Sequence, residues 1–385
     1  LEAYDFEFEF RRDMAVEAVR GRDLLPPVRI SDCVSCGWVE YCDELLEAGS
    51  GDPSLIPRIG YRPWRALRDA GISDRAAVAG LDYRTAQLGA AVDLNKWLAD
   101  AAGAAPDTPI ESLRPRARKQ IRTLQEAGIA TAADLLDRVH PRTMELGGAG
   151  FVPEAILNAR AALGSEPVYR RPDLDPPDVP RADVEIDIDM ENVLDGVYLW
   201  GALVTDRAGT GLAEAGYHAF AIWDPLTTAT ELENFQQFWD WFEGLIAGCR
   251  AAGASVLAYC WHESAENTQL RRIAQPYPAL KTRVDAFIES GTWVDLERIF
   301  KQSWITGGSS SLKAVAPLAG FDWEVDDPGG AMSMVHYLEA TTGDIDARTW
   351  LVDYNRGDVE ATLAIRQWLS LDGHRWPEVA TGPSG

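Results

Sequence analysis

"VEIDIDMEN", residues 184–192, decides the fold. Val184, Ile186, Ile188 and Met190 alternate with Glu185, Asp187, Asp189 and Glu191. Strict alternation is the mark of a β-strand, whose successive side chains point to opposite faces. One face is therefore apolar, and the other carries four acids. Four carboxylates on one face repel one another unless water or cations compensate. Glu185 suits a solvent-facing edge strand. Asp189 and Glu191 suit one less well, because they stand at the C-terminal end, where ligands gather in open α/β sheets.

Working outward, "VYLWGALV" (197–204) and "YHAFAIWD" (217–224) read as further strands. An amphipathic helix follows over 231–250. "SVLAYC" (255–260) is a short buried strand, a helix starts near 263, and "TWVDL" (292–296) is another strand. The remainder is mostly helical. This order predicts an α/β domain, a mixed sheet flanked by helices.

Two later segments add acids. In "WHESAENTQL" (261–270), Glu266 opens a helical run with Leu270 as its apolar partner. In "DYNRGDVEATLAI" (353–365), Tyr354 and Asp358 lie one helical turn apart on one face. Gly357 lowers helix propensity beside the acid. A lone Tyr-x3-Asp is more simply a packed tyrosine and a solvated aspartate. The ordered set changes that balance: Asp189-x-Glu191, then Glu266, then Tyr354-x3-Asp358. Hard divalent cations take oxygen ligands, so carboxylates serve where histidines are few.

This set resembles the DEDD family of 3′–5′ exonucleases on the RNase H-like fold, and its tyrosine resembles the DEDDy branch. The resemblance covers about 182–370. It implies that Asp189, Glu191, Glu266 and Asp358 hold two Mg²⁺ or Mn²⁺ ions for phosphodiester hydrolysis. It implies that Tyr354 hydrogen-bonds the attacking water. The family's second motif usually reads Asn-x3-Asp; here His262 and Glu266 stand at those positions, with Glu263 as the alternative acid. "SLKAVAPLAG" (311–320) resembles a helix that such proteins carry before the last motif, and Lys313 is a candidate nucleic-acid contact.

Residues 53–163 read as all-helical and repeat. "RALRDAGIS" (65–73) aligns with "RTLQEAGIA" (122–130), each ending a helix at Ala-Gly-Ile. "VPEAILNARAAL" (152–163) looks like half of a third unit. Such glycine-turn helix pairs, here helix–hairpin–helix-like, can grip phosphates through main-chain N–H groups. Arg114, Arg116, Arg118, Lys119 and Arg122 form either a solvated face or a phosphate-binding patch. The whole chain has a net charge of −24, and such a field repels nucleic acid unless bound metals reverse the local sign.

"CVSCGWVEYC" (33–42) clusters three of five cysteines. An odd, clustered set is not a secreted disulfide framework. Cys33, Cys36 and Cys42 are candidate ligands of zinc or an iron–sulfur cluster, each of which wants a fourth ligand. Cys249 and Cys260 read as core thiols. With "YDFEFEFRRDMAVEAV" (4–19) before it, the triplet resembles one subgroup of RecB-like putative nucleases. That resemblance implies a [4Fe–4S] cluster or Zn²⁺ and places the N-terminal nuclease core outside this chain.

The expected organisation is a RecB-like remnant over 1–50, helical repeats over 51–163, a proline-rich linker over 164–181 and the RNase H-like domain over 182–385. No apolar run reaches the ~18 residues of a membrane helix, so the expectation is a cytoplasmic chain without a membrane partner. The expected partners are DNA, or RNA, and other repair proteins. The rival expectation is a non-catalytic nucleic-acid-binding module, and a third is a scaffold with structural zinc.

Overall fold

The computed structural model describes residues 2–20, 27–146, 148–175, 177–193, 196–325, 330–371 and 373–382. The first helix spans Glu2–Val19; residues 1–22 read in the sequence as a helix ending near Gly21, which lies outside the described residues. The chain divides into two units. One comprises 1–174, 304–309 and 376–385; the other comprises 175–303 and 310–375.

The first unit is helical, and short polar residues start its helices. Asp74, Asp82 and Thr131 each accept a backbone N–H of the turn they begin. Two hairpins carry the repeat: Tyr61–Asp69 with Arg75–Ala79, and Arg118–Glu126 with Ala132–Arg138. Gly71 and Gly128 sit at their turns with φ of 68° and 77°, a conformation that favours glycine. The next residue in each, Ile72 or Ile129, is fully buried.

The expected boundaries need two corrections. Trp304–Ser309 and the chain end from Trp376 belong with the helical unit. Trp304–Ile305 pairs antiparallel with Tyr169–Arg170, Val379 enters the helical core, and Arg160 donates to the carbonyls of Ala79 and Leu81 at 2.8 Å and to that of Ala380. The proline-rich stretch is accordingly shared, with 164–174 in the helical unit and 175–181 in the other.

The second unit is a five-stranded mixed sheet with helices on both faces. Its strands are β1 (Val184–Val193), β2 (Gly196–Asp206), β3 (Gly216–Ala221), β4 (Val256–Cys260) and β5 (Trp293–Asp295). The order is β3-β2-β1-β4-β5, so β1 is central. It runs antiparallel to β2 and parallel to β4. Its apolar side chains meet helices α1 (Thr228–Ala251) and α2 (Glu263–Ala274) through Phe235, Phe238, Trp239 and Leu270. Cys249 and Cys260 are buried there, as core thiols should be. The unit also contains helices over Pro278–Ile288 and Leu296–Ser303, short helix α3 (Leu312–Val315), α4 (Gly330–Thr341) and the long α5 (Ile345–Leu371).

The acidic face of β1 is not a solvent-facing edge. Helix α5 lies against it, and Glu185 and Asp187 are both fully buried. Tyr354, Asp358, Thr362 and Arg366 recur every four residues on α5, all at most 6% exposed. This stripe runs along the acidic strand. Its far end carries Arg366, which donates to Asp187 at 2.6 and 3.1 Å and to Glu185. Arg181 adds two bonds to Glu185 at 2.7 and 3.0 Å. Strand periodicity shows the acids but not their main cation, because Arg366 lies 181 residues from Glu185 along the chain.

Candidate metal centre

Among the described residues, the near half of the same face has no such arginine. Asp189, Glu191 and Asp358 offer carboxylate oxygens that all lie within 4.8 Å of one another. Strand β1 supplies the first two, and α5 supplies the third. The ladder between β1 and β2 shifts register between Glu191 and Asn192, a bulge at the end of this acidic pair.

Two glycines make room for the groups that hold these acids. Gly201 on β2 pairs directly with Asp189. A Cβ there would fall 1.7 Å from Oδ1 of Asn355, so only glycine admits that side chain. Asn355 Nδ2 donates to Asp189 at 2.9 Å, and its Oδ1 accepts from the Tyr217 hydroxyl at 2.8 Å. Gly357 plays the matching part on α5. A Cβ there would fall 2.6 Å from Trp323. Trp323 Nε1 instead donates to Asp358 Oδ1 at 2.8 Å. The helix-weakening glycine of the sequence is thus a point of close approach.

Tyr354 is buried and stacks on Trp350, with ring centroids 5.1 Å apart. Its hydroxyl, one helical turn before Asp358 on α5, accepts a 2.7 Å hydrogen bond from Lys313 Nζ. Lys313, the expected nucleic-acid contact, therefore stands inside the acidic site.

The electrostatics follow from burial. Desolvation, then the charges of Asp358, Glu191 and Glu266, raise Asp189 well above the usual carboxylate range. Desolvation and Asp358 do the same to Glu191, against Lys313 and a hydrogen bond from Asn355. Asp358 is pushed up to about 6 by burial, with Lys313, Trp323 and Tyr354 opposing. Three desolvated carboxylates with one lysine leave a deficit of positive charge. Oxygen donors this close, short of cations, fit one or more hard divalent ions.

Glu266 stands outside the trio. Burial pushes it up to about 8, its Oε2 has no hydrogen-bond partner among the described residues, and it lines an apolar pocket with Ile188, Trp200 and Leu270. Its charge still reaches Asp189. Glu263, the alternative, is paired with Arg298 at 2.8 Å. His262 bridges Glu297 and Ser264, each at 2.6 Å.

Among the described residues, the cysteines are not gathered as the acids are. Cys36 is exposed, Cys33 and Cys42 are half-buried, and Cys33 Sγ lies 3.8 Å from the Val28 carbonyl. Among the basic residues, Arg114 is structural: it pairs with Asp100 at 2.6 Å and lies over the Trp97 ring. Arg116, Arg118, Lys119 and Arg122 are exposed and form no ion pair among the described residues. The main-chain amides of the second hairpin are not open, because Ala130 and Thr131 both donate to Asp134.

Sequence reasoning missed Asn355, Trp323, Gly201 and Arg366. Gly357 inside a helix was the available signal for Trp323. Arg366, two turns beyond Asp358 on its stripe, was the signal for the buried ion pairs.

Among the described residues, no helix is long and apolar enough to cross a membrane. Neither the curated proteins nor the solved structures contain a match to this chain. A protein-family model, RNase_H_2 of the RNase H superfamily, matches residues 246–370, the segment that carries Glu266, Lys313, Tyr354 and Asp358.

Proposed function

We propose that the chain is a metal-dependent nuclease of DEDDy type, hydrolysing phosphodiester bonds of DNA or RNA from the 3′ end. The observation that carries this reading is the carboxylate trio Asp189, Glu191 and Asp358, with Tyr354 one turn before Asp358. The match to an RNase H superfamily model supports it. Asp189, Glu191 and Asp358 would hold Mg²⁺ or Mn²⁺, with Glu266 as a further acid in reach. Divalent ions bound there would neutralise the phosphate and acidify the attacking water.

The chain's own residues do the rest. Asn355 fixes the Asp189 carboxylate, and Trp323 fixes that of Asp358, so both present defined oxygens. Tyr354 holds a hydroxyl at the rim of the trio, able to donate a hydrogen bond to a water or a phosphate oxygen. Packing on both faces of β1 keeps these groups desolvated, where charge interactions are strong.

The exposed basic face from Arg116 to Arg122 would take nucleic-acid phosphates with side chains. Asp134 already occupies the second hairpin's amides, which argues against a main-chain grip there. The resemblance to RecB-like nucleases extends the reading to Cys33, Cys36 and Cys42, as ligands of zinc or a [4Fe–4S] cluster.

A second reading, a non-catalytic nucleic-acid-binding domain, draws on one observation: the Glu266 carboxyl lines an apolar pocket outside the trio. Incubation with 3′- and 5′-end-labelled single and double strands, with Mg²⁺, Mn²⁺ or chelator, separates the two. Stepwise, divalent-dependent shortening from the 3′ end supports the nuclease. Binding without shortening in any metal supports the rival.

A further inference from the structure

Among the described residues, Lys313 and Asp358 both act on the Tyr354 hydroxyl. Lys313 Nζ donates to it at 2.7 Å and lies 4.7 Å from the ring centroid. Asp358 lies one turn along α5 on the same face, and its charge acts on the same hydroxyl. An ammonium has three donors and no acceptor. The phenol oxygen must therefore accept from Lys313, and its own hydrogen must point to another acceptor. The ring cannot swing away, because Trp350 stacks on it with planes 17° apart.

We infer that Lys313 is a positioning residue that orients the Tyr354 hydroxyl as a hydrogen-bond donor into the site. This rests on the nuclease reading above and assigns a task to a residue that reading leaves as a phosphate contact. With Lys313 donating to the oxygen, the hydroxyl hydrogen is turned away from the ammonium, toward Asp358 or an oxygen brought beside Asp358. That oxygen would belong to the attacking water or to the scissile phosphate. A tyrosine free to rotate would be a donor only part of the time. Helix α3 thus contributes to the chemistry through α5, and it is anchored for this by Val315, which is fully buried while Lys313 reaches the site.

The test is a double-mutant cycle of Lys313→Met and Tyr354→Phe, read in two ways. The first is hydrolysis of an end-labelled oligonucleotide in Mg²⁺. Lys313→Met should lower kcat about tenfold or more with KM little changed in the parent, and less than about twofold when Tyr354→Phe is already present. Lys313→Arg, which keeps a donor, should recover part of the loss. The second readout is thermal unfolding in chelator, where no reaction occurs. There Lys313→Met should lower Tm by about 2 °C or more beyond its effect in the Tyr354→Phe chain, because only the parent has the bond to lose. Equal loss of kcat in both backgrounds, or a rise in KM alone, would overturn the inference and make Lys313 a direct phosphate contact. Coupled unfolding in a parent that hydrolyses nothing would overturn the nuclease reading and, with it, the positioning role. Uncoupled unfolding in an active parent would overturn the inference alone.

Discussion

Arg366 donates to both oxygens of Asp187, and both side chains are fully buried. The guanidinium also reaches Glu185 and lies over the Tyr259 ring at 4.3 Å. The acidic face of β1 is thereby neutralised over half its length. Arg366→Met should leave Asp187 buried without a partner and cost about 3–5 kcal/mol. Denaturant unfolding reads this directly, and a loss below about 1 kcal/mol would contradict the assigned role.

Among the described residues, the other half of that face has Lys313 as its cation, and this sets a pH dependence. Asp358 is raised to about 6 in the folded chain, and Asp189 and Glu191 are raised as well. The folded state therefore holds protons that the unfolded state has lost. The associated stability is fully present below the ordinary carboxylate pKa of about 4 and disappears as pH rises through 6 and beyond. In chelator, Tm should fall between about pH 5 and 8, and Mg²⁺ or Mn²⁺ should restore more of it at the upper end than at the lower. Asp358→Asn should flatten the fall. A Tm that climbs over this range in chelator, equally in both chains, would contradict the assignment.

Gly357 and Gly201 test how the carboxylates are held. Gly357→Ala should displace Trp323 and remove the bond to Asp358, while Trp323→Phe should remove the same bond without strain. Both should weaken divalent binding by about tenfold, as loss of a ligand's supporting hydrogen bond does. Gly201→Ala should displace Asn355 and act similarly through Asp189. Calorimetric titration with Mn²⁺ checks each, and affinities within about twofold of the parent would show that these bonds do not support the metal.

The basic face separates structure from binding. Reversing Arg116, Lys119 and Arg122 to Glu should weaken nucleic-acid affinity and flatten its salt dependence, by roughly 0.9 in log–log slope for each duplex phosphate no longer neutralised. Arg114→Ala should instead lower stability, since Asp100 and Trp97 lose their partner. Binding titrations across salt concentrations distinguish the two. An unchanged slope in the triple variant would mark an ordinary solvated face.

Much of the second unit was legible because strand alternation and helical register are local. "VEIDIDMEN" marked the central strand, and Tyr354-x3-Asp358 marked the face of α5 that meets it. The status of Glu185 was not legible, since burial of an acid depends on cations arriving to pair it, here Arg366 and Arg181. Lys313 could be read as basic but not as a partner of Tyr354, because 41 residues separate them. The return of Trp304–Ser309 to the helical unit left no periodic signal, as a two-residue strand is too short to show one. The hold of Asp134 on Ala130 and Thr131 became visible only with the turn folded.

The measurement that bears most directly on the central claim compares hydrolysis by the parent, Asp358→Asn and Tyr354→Phe chains on a 3′-recessed, 5′-end-labelled duplex and its single strand in Mg²⁺ and Mn²⁺. The parent should shorten the labelled strand only with a divalent ion. Asp358→Asn should reduce the rate by about a hundredfold or more and weaken metal binding, whereas Tyr354→Phe should slow hydrolysis with metal binding retained. A parent inert in both metals, or both variants cleaving at the parent's rate, would contradict the account.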